Sequence, residues 1–151
     1  METDGELLWI GTNRGLFKYN HTRQSLNRYR YSNHRPGMLS QAYITGVKLT
    51  SKGDVIVSTL NGLNVYNRDT DTFTYIRQNN EMPDKSLNCN FINCLLTDNE
   101  NIWVGTEIGG INLLTPNCLQ TYVWHITIFE KPLFPPIRSM PSAKTKTEIY
   151  G

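Results

Sequence analysis

The sequence predicts an all-β fold assembled from short four-stranded antiparallel sheets. Three observations carry that prediction: a 47-residue internal repeat, strand-length apolar runs bounded by Gly, Asn and Asp, and the lack of any 3.6-residue apolar period sustained over 10 residues. The repeat is clearest at Trp9-Ile10-Gly11-Thr12, which returns as Trp103-Val104-Gly105-Thr106, 94 positions on, or twice 47. At the midpoint stands Ile56-Val57-Ser58-Thr59, with Ile in place of Trp and Ser in place of Gly. Gly15 matches Gly62 and Gly109, Leu16 matches Leu63, and Tyr19-Asn20 matches Tyr66-Asn67. Ile44 matches Phe91, Leu49 matches Leu96, and Thr74-Tyr75-Ile76 matches Thr121-Tyr122-Val123. Gly109-Gly110 reads as a local one-residue insertion.

The middle repeat gives the elements in order. Ile44 to Thr50 is the first strand, with apolar residues at Ile44, Val47 and Leu49. The turn Ser51-Lys52-Gly53-Asp54 leads into a second strand, Val55 to Thr59. Leu60-Asn61-Gly62 is a tight turn, and Asn61-Gly62 predicts type I′ geometry, which needs positive φ at both central residues. Leu63 to Tyr66 is the third strand, and the polar turn Asn67 to Asp71 leads to the fourth, Phe73 to Ile76. Four strands in about 47 residues is the size of a propeller blade. The expected architecture is an incomplete β-propeller of about two and a half four-stranded blades over residues 1–125, with an irregular tail over 126–151.

The repeated residues carry structural expectations. Trp9 and Trp103 wedge between neighbouring blades, while Gly11 and Gly105 allow close strand packing or a bulge. Gly15, Gly62 and Gly109 serve the hairpin turn, and Thr12, Thr59, Thr106, Tyr19 and Tyr66 mark the same repeat.

Composition excludes several classes. The chain has 151 residues, 38% hydrophobic and 19% charged, which fits a globular domain. A net charge of +2 gives no global pull toward nucleic acid or an anionic membrane surface. Cys89, Cys94 and Cys118 form no CxxC pair, and His21, His34 and His125 have no metal-ligand spacing. No metal or cofactor is expected. Cys94 sits in an apolar run and reads as a small hydrophobe. Gly105-x-x-x-Gly109-Gly110 has no following Lys-Ser/Thr, so it is not a phosphate loop. No apolar run is long enough to span a membrane. The acidic start METDGELLWIGT lacks a leader's apolar segment, so the chain alone is expected to stay in the cytoplasm.

Residues Leu8 to Asn20 and Asp98 to Thr106 resemble the two-component regulator propeller repeat: an acidic turn, a Trp-Ile-Gly-Thr strand, then a Gly-Leu strand ending in Tyr-Asn. The resemblance covers residues 4 to about 125, and the middle repeat departs from it at Ile56 and Ser58. It implies a segment of the periplasmic sensor region of a hybrid two-component histidine kinase that detects glycan fragments. The partners it implies are other blades of a longer parent chain and an oligosaccharide ligand, not nucleic acid or membrane. It implies no catalysis within these residues. The rival readings are a protein-interaction or adhesin propeller, a pseudogene product, and a propeller lyase. The lyase lacks support, because the histidines recur at no common repeat position. His34-Arg35-Pro36 and Asn79 to Lys85 are the longer loops, where function often resides.

After His125 the repeat stops. A continued period would place Trp at 103 + 47 = 150, yet the tail has four prolines after residue 131 and no repeat pattern. The codons permitted for Ala143 to Gly151 allow, in another frame, Glu-Asp-Lys-Asp-Gly-Asn-Ile-Trp. A frameshift between about residues 126 and 143 is therefore expected, against a natural divergent tail. The nucleotide sequence decides between them.

Overall fold

Twelve strands form three four-stranded antiparallel sheets in the computed structural model, which describes residues 1–82, 86–116 and 124–128. The first sheet holds β1 (Glu2–Asp4), β2 (Leu7–Thr12), β3 (Gly15–Asn20) and β4 (Ser25–Tyr29), in that order. The second holds β5 (Ile44–Leu49), β6 (Val55–Thr59), β7 (Gly62–Asn67) and β8 (Thr72–Ile76). The third holds β9 (Ile92–Asp98), β10 (Asn101–Thr106), β11 (Ile111–Pro116) and β12 (Trp124–Ile128). Each is a meander, as expected of blades. The number of sheets is three, with β1 only three residues long. The last strand reaches Ile128, so the expected repeat boundary at 125 falls inside a strand. The match Thr121-Tyr122-Val123, Cys118 and the tail from 129 lie outside the described residues.

The sheets stack, β1 and β2 against β5, then β5 and β6 against β9. Strand alternation explains how one blade serves two interfaces. Val55 and Val57 of β6 face the first blade, where they pack with Trp9, Leu16, Tyr29, Tyr66 and Phe73. Ile56, between them, faces the third blade with Leu63, Leu95, Ile102, Val104 and Leu114. That is why all five residues of β6 are buried and why it reads as Val-Ile-Val-Ser-Thr with no polar face. Ten buried side chains form the first of these clusters and eight the second, and burying one such side chain contributes roughly 1.5–3 kcal/mol.

The turns follow the repeat with two corrections. Thr12, Thr59 and Thr106 each donate their hydroxyl to a glycine carbonyl, of Gly15, Gly62 and Gly110, at 2.8–2.9 Å. The third turn's left-handed glycine is therefore Gly110 (φ 76°), one place later than Gly109, as the inserted residue requires. Gly109 instead backs onto Asn88. Gly62 has φ 90°, but Asn61 has no positive φ, so the turn is not type I′. Its amide donates to Thr59 Oγ1 at 3.0 Å, and this side-chain bond sets the Asn61 backbone in place of the I′ conformation.

Candidate ligand-binding site

Trp9 is fully buried between the first two blades, with the Tyr66 ring edge-on at 4.8 Å and Tyr29 stacked at 6.0 Å. Trp103 occupies the same repeat position in β10, paired with Leu96 of β9 on the face away from the second blade, and is half-buried. A Cβ on Gly11 would stand 2.5 Å from Ile44 Cγ2, and one on Gly105 would stand 2.6 Å from Cys94 Sγ. Both glycines thus sit at close approaches, and the β9–β10 register shifts at Gly105/Thr106. Ser58, which replaces glycine in the middle motif, fits because its cross-strand partner is Gly46. Cys94, read from its apolar run as a small hydrophobe, is exposed because it points away from the blade interface, on the same face as Leu96. Tyr66 is buried, whereas Tyr19 is half-buried on the first blade.

The repeat pattern did not reveal a polar cluster beside Trp9. Lys18 lies opposite Trp9 across β2–β3 and places its ammonium over three rings, of Trp9, Tyr29 and Tyr66, at 5.1–5.5 Å. It donates to Tyr66 Oη at 2.8 Å and to Asp71 Oδ1 at 3.1 Å. Tyr29 and Tyr66 donate to the same carboxylate oxygen at 2.6 and 2.5 Å. Burial and the bonds to Asp71 and Tyr66 push the Tyr29 phenol far above its ordinary value. Desolvation works to raise the Asp71 carboxyl, but the bonds from Tyr29, Tyr66 and Lys18 outweigh it and hold Asp71 below the usual carboxylate value. Lys18 is raised against its own desolvation by Tyr66 and Asp71. The cage is filled by the chain's own cation, so its work is to fasten blade one to blade two.

Buried asparagines lock the connections between blades. Asn64 accepts from the Ser40 amide at 2.7 Å and donates to Ser40 Oγ at 2.9 Å. Asn112 accepts from the Asn88 amide at 3.1 Å and donates to Asn88 Oδ1 at 2.7 Å. Both halves of the lock are 48 residues apart, one more than the repeat. The residue inserted at Gly109-Gly110 accounts for Asn112. β9 carries the same offset upstream of it, since Ile92, not Phe91, stands where β5 has Ile44, so a gapless 47-residue alignment misses the pair.

Open space lies at the end of the sheets that carries the β2–β3 and β6–β7 turns and the β4–β5 connection. A cavity of about 310 Å³ is lined by Tyr31, His34, Arg35, Tyr75 and Arg77, among others. A second, of about 350 Å³, is lined by Asn13, Arg14, Arg28, Arg30, Tyr31 and Ala42. The expected loop His34-Arg35-Pro36 is thus on a cavity wall. Of the loop Asn79 to Lys85, residues 83–85 lie outside the described residues. No cluster of three His, Cys, Asp or Glu side chains suited to a metal occurs among the described residues.

Stacked four-stranded antiparallel sheets with open clefts at one end define a segment of a β-propeller. Residues 86–107 match the family model described as Two component regulator propeller. The chain is similar to the extracellular domain assigned to the hybrid two component system BT3049 of B. thetaiotaomicron, with a TM-score of 0.62 and 24% identity over 76% of this chain and 16% of that one. It is also similar to the extracellular domain of BT4673 from the same organism, with a TM-score of 0.64 and 27% identity over 85% of this chain and 16% of that one. A second structure of that BT4673 domain gives a TM-score of 0.62 and 28% identity, over 78% of this chain and 15% of that one. The chain spans about a sixth of the length of these structures. No curated protein matches. The resemblance read from the Trp-Ile-Gly-Thr repeats thus holds in both family model and fold. No helix among the described residues is long and apolar enough to cross a membrane.

Proposed function

We propose that this chain is a ligand-binding segment of the periplasmic sensor propeller of a hybrid two-component histidine kinase, and that its ligands are glycan fragments. Its contribution is binding rather than catalysis, and the remaining blades and the kinase belong to a longer parent. The carrying observation is the pair of clefts around Tyr31, at the end where the β4–β5 connection crosses from one blade to the next. Loops at a blade end are free to vary on a rigid scaffold, and tyrosines offer a sugar both a flat apolar face and a hydroxyl. The extracellular location of the similar domains supports the reading.

Two measurements test it. Flanking DNA should carry, in frame, further blades, a membrane helix and a histidine kinase; a stop followed by an unrelated gene would overturn the sensor reading. Saturation-transfer NMR on the 151-residue chain with mixed plant and host oligosaccharides should show transfer to sugar protons. Transfer to none of them would remove the glycan from the proposal.

A further inference from the structure

Tyr31 lines both clefts, which lie side by side, and we take the pair as one furrow at this end of the sheets. Five arginines line it: Arg14, Arg28 and Arg30 on one side, Arg35 and Arg77 on the other. No Asp or Glu lines either half among the described residues. None of the five makes an ion pair among the described residues. The four ion pairs among the described residues are Lys18–Asp71, Lys48–Glu2, Lys52–Glu100 and Arg68–Asp4, and they join residues of the opposite turns or strands leading to them. A chain with a net charge of only +2 thus gathers at one end five guanidinium groups that have no carboxylate partner among the described residues.

Two of these groups are held in place. The Arg28 guanidinium lies 5.4 Å over the Phe17 ring and donates to the Arg14 carbonyl at 2.9 Å. Arg77 lies 4.7 Å over the Tyr75 ring and donates through Nε to the Asn61 carbonyl at 3.2 Å. A guanidinium so fixed loses little freedom on binding and offers its remaining N–H groups as a fork that suits a carboxylate or sulfate.

We propose that the furrow binds an oligosaccharide bearing carboxylate or sulfate groups, its anionic substituents read by these arginines and its rings resting on Tyr31 and Tyr75. The proposal rests on the glycan-sensing reading and narrows it to acidic sugars. Ser32, Asn33 and Asn13 supply the neutral hydrogen-bonding groups that sugar hydroxyls need, which favours a saccharide over an acidic peptide.

The test is calorimetry on the 151-residue chain with four probes: tetragalacturonate, a sulfated galactotetraose, neutral galactotetraose and tetraglutamate. At least one acidic tetrasaccharide should bind about tenfold or more tightly than the neutral one, and weaken as salt rises. Arg30→Gln and Arg35→Gln change exposed side chains in the two halves of the furrow. Each should weaken that binding about fivefold or more with an unchanged circular dichroism spectrum. Neutral galactotetraose binding as tightly, with both variants silent, would overturn the acidic specificity and leave glycan sensing standing. Tetraglutamate or free sodium sulfate binding as tightly as the acidic sugar would also overturn it, as a generic anion site. Binding of no saccharide would overturn both readings.

Discussion

At Asp71, three donors converge on one carboxylate oxygen, and a single residue ties the first blade to the second. Its folded pKa is depressed, so its contribution to stability is present above the unfolded carboxylate value and lost as pH falls below about 4. Tyr29 and Lys18 are both raised, so their contribution is present below about 10 and lost as pH rises through the alkaline range. The melting temperature should therefore be flat between these limits and fall on both sides. Asp71→Asn should lower stability by about 1–2 kcal/mol at neutral pH, a figure reduced by the 56% exposure of the side chain, and should flatten the acid limb. An unchanged acid limb in thermal melts of Asp71→Asn would show that the clasp carries no stability. Of this cluster only Tyr66 was legible in the repeat, for a physical reason. Its other members stand where the neighbouring repeat carries something else: Val65 at the Lys18 position, Ile76 at that of Tyr29, Gln24 at that of Asp71. Periodicity finds what every blade needs, such as Trp9 and Gly11, and is blind to a device built once.

Strands and turns were legible because their causes are local. The four strands expected of the middle repeat appear as β5 to β8, with bounds shifted by a residue at most. Tyr-Asn ends two strands because the Asn67 side chain accepts from the Asp69 and Thr70 amides, as Asn20 accepts from Arg23. What sequence could not show is which glycine bears the load. An added Cβ at Gly62 would lie 2.7 Å from the Ile76 carbonyl oxygen, with φ at 90°; at Gly110 nothing stands within 4 Å and φ is 76°. Gly110→Ala should thus cost only the left-handed strain, about 1 kcal/mol, and Gly62→Ala about 2–4 kcal/mol, compared by urea unfolding. Equal costs would mean that the β6–β7 turn relaxes freely. The buried asparagine lock is likewise an element property. Asn64→Ala strands the Ser40 amide and should cost about 2–3 kcal/mol, with faster hydrogen exchange at Ser40 than at Asn88.

Across the molecule, each blade presents one face to the blade before it and one to the blade after it, and among the described residues only the middle blade packs on both. The repeat makes the consequence quantitative. Trp9 is fully buried against the second blade, while Trp103, its counterpart two repeats on, is half-buried on the far face of the third. Leu96 beside it is 62% exposed and Ile111 40%. Exposed apolar side chains such as Leu96 and Ile111 on one sheet face favour association. The first blade's outward face differs from this one, since it carries Leu8, Ile10 and Tyr19 rather than a tryptophan. Contact between the two is head-to-tail, and such contacts propagate instead of closing into a dimer. Sedimentation velocity on the isolated chain should therefore show a broad distribution that grows with concentration. Leu96→Lys should narrow it toward monomer while leaving the urea midpoint within about 0.5 kcal/mol, because Leu96 touches no blade interface. A discrete dimer unaffected by Leu96→Lys would place the association elsewhere. Association that disappears once a further blade is fused after Ile128 would show that the face is made to receive one.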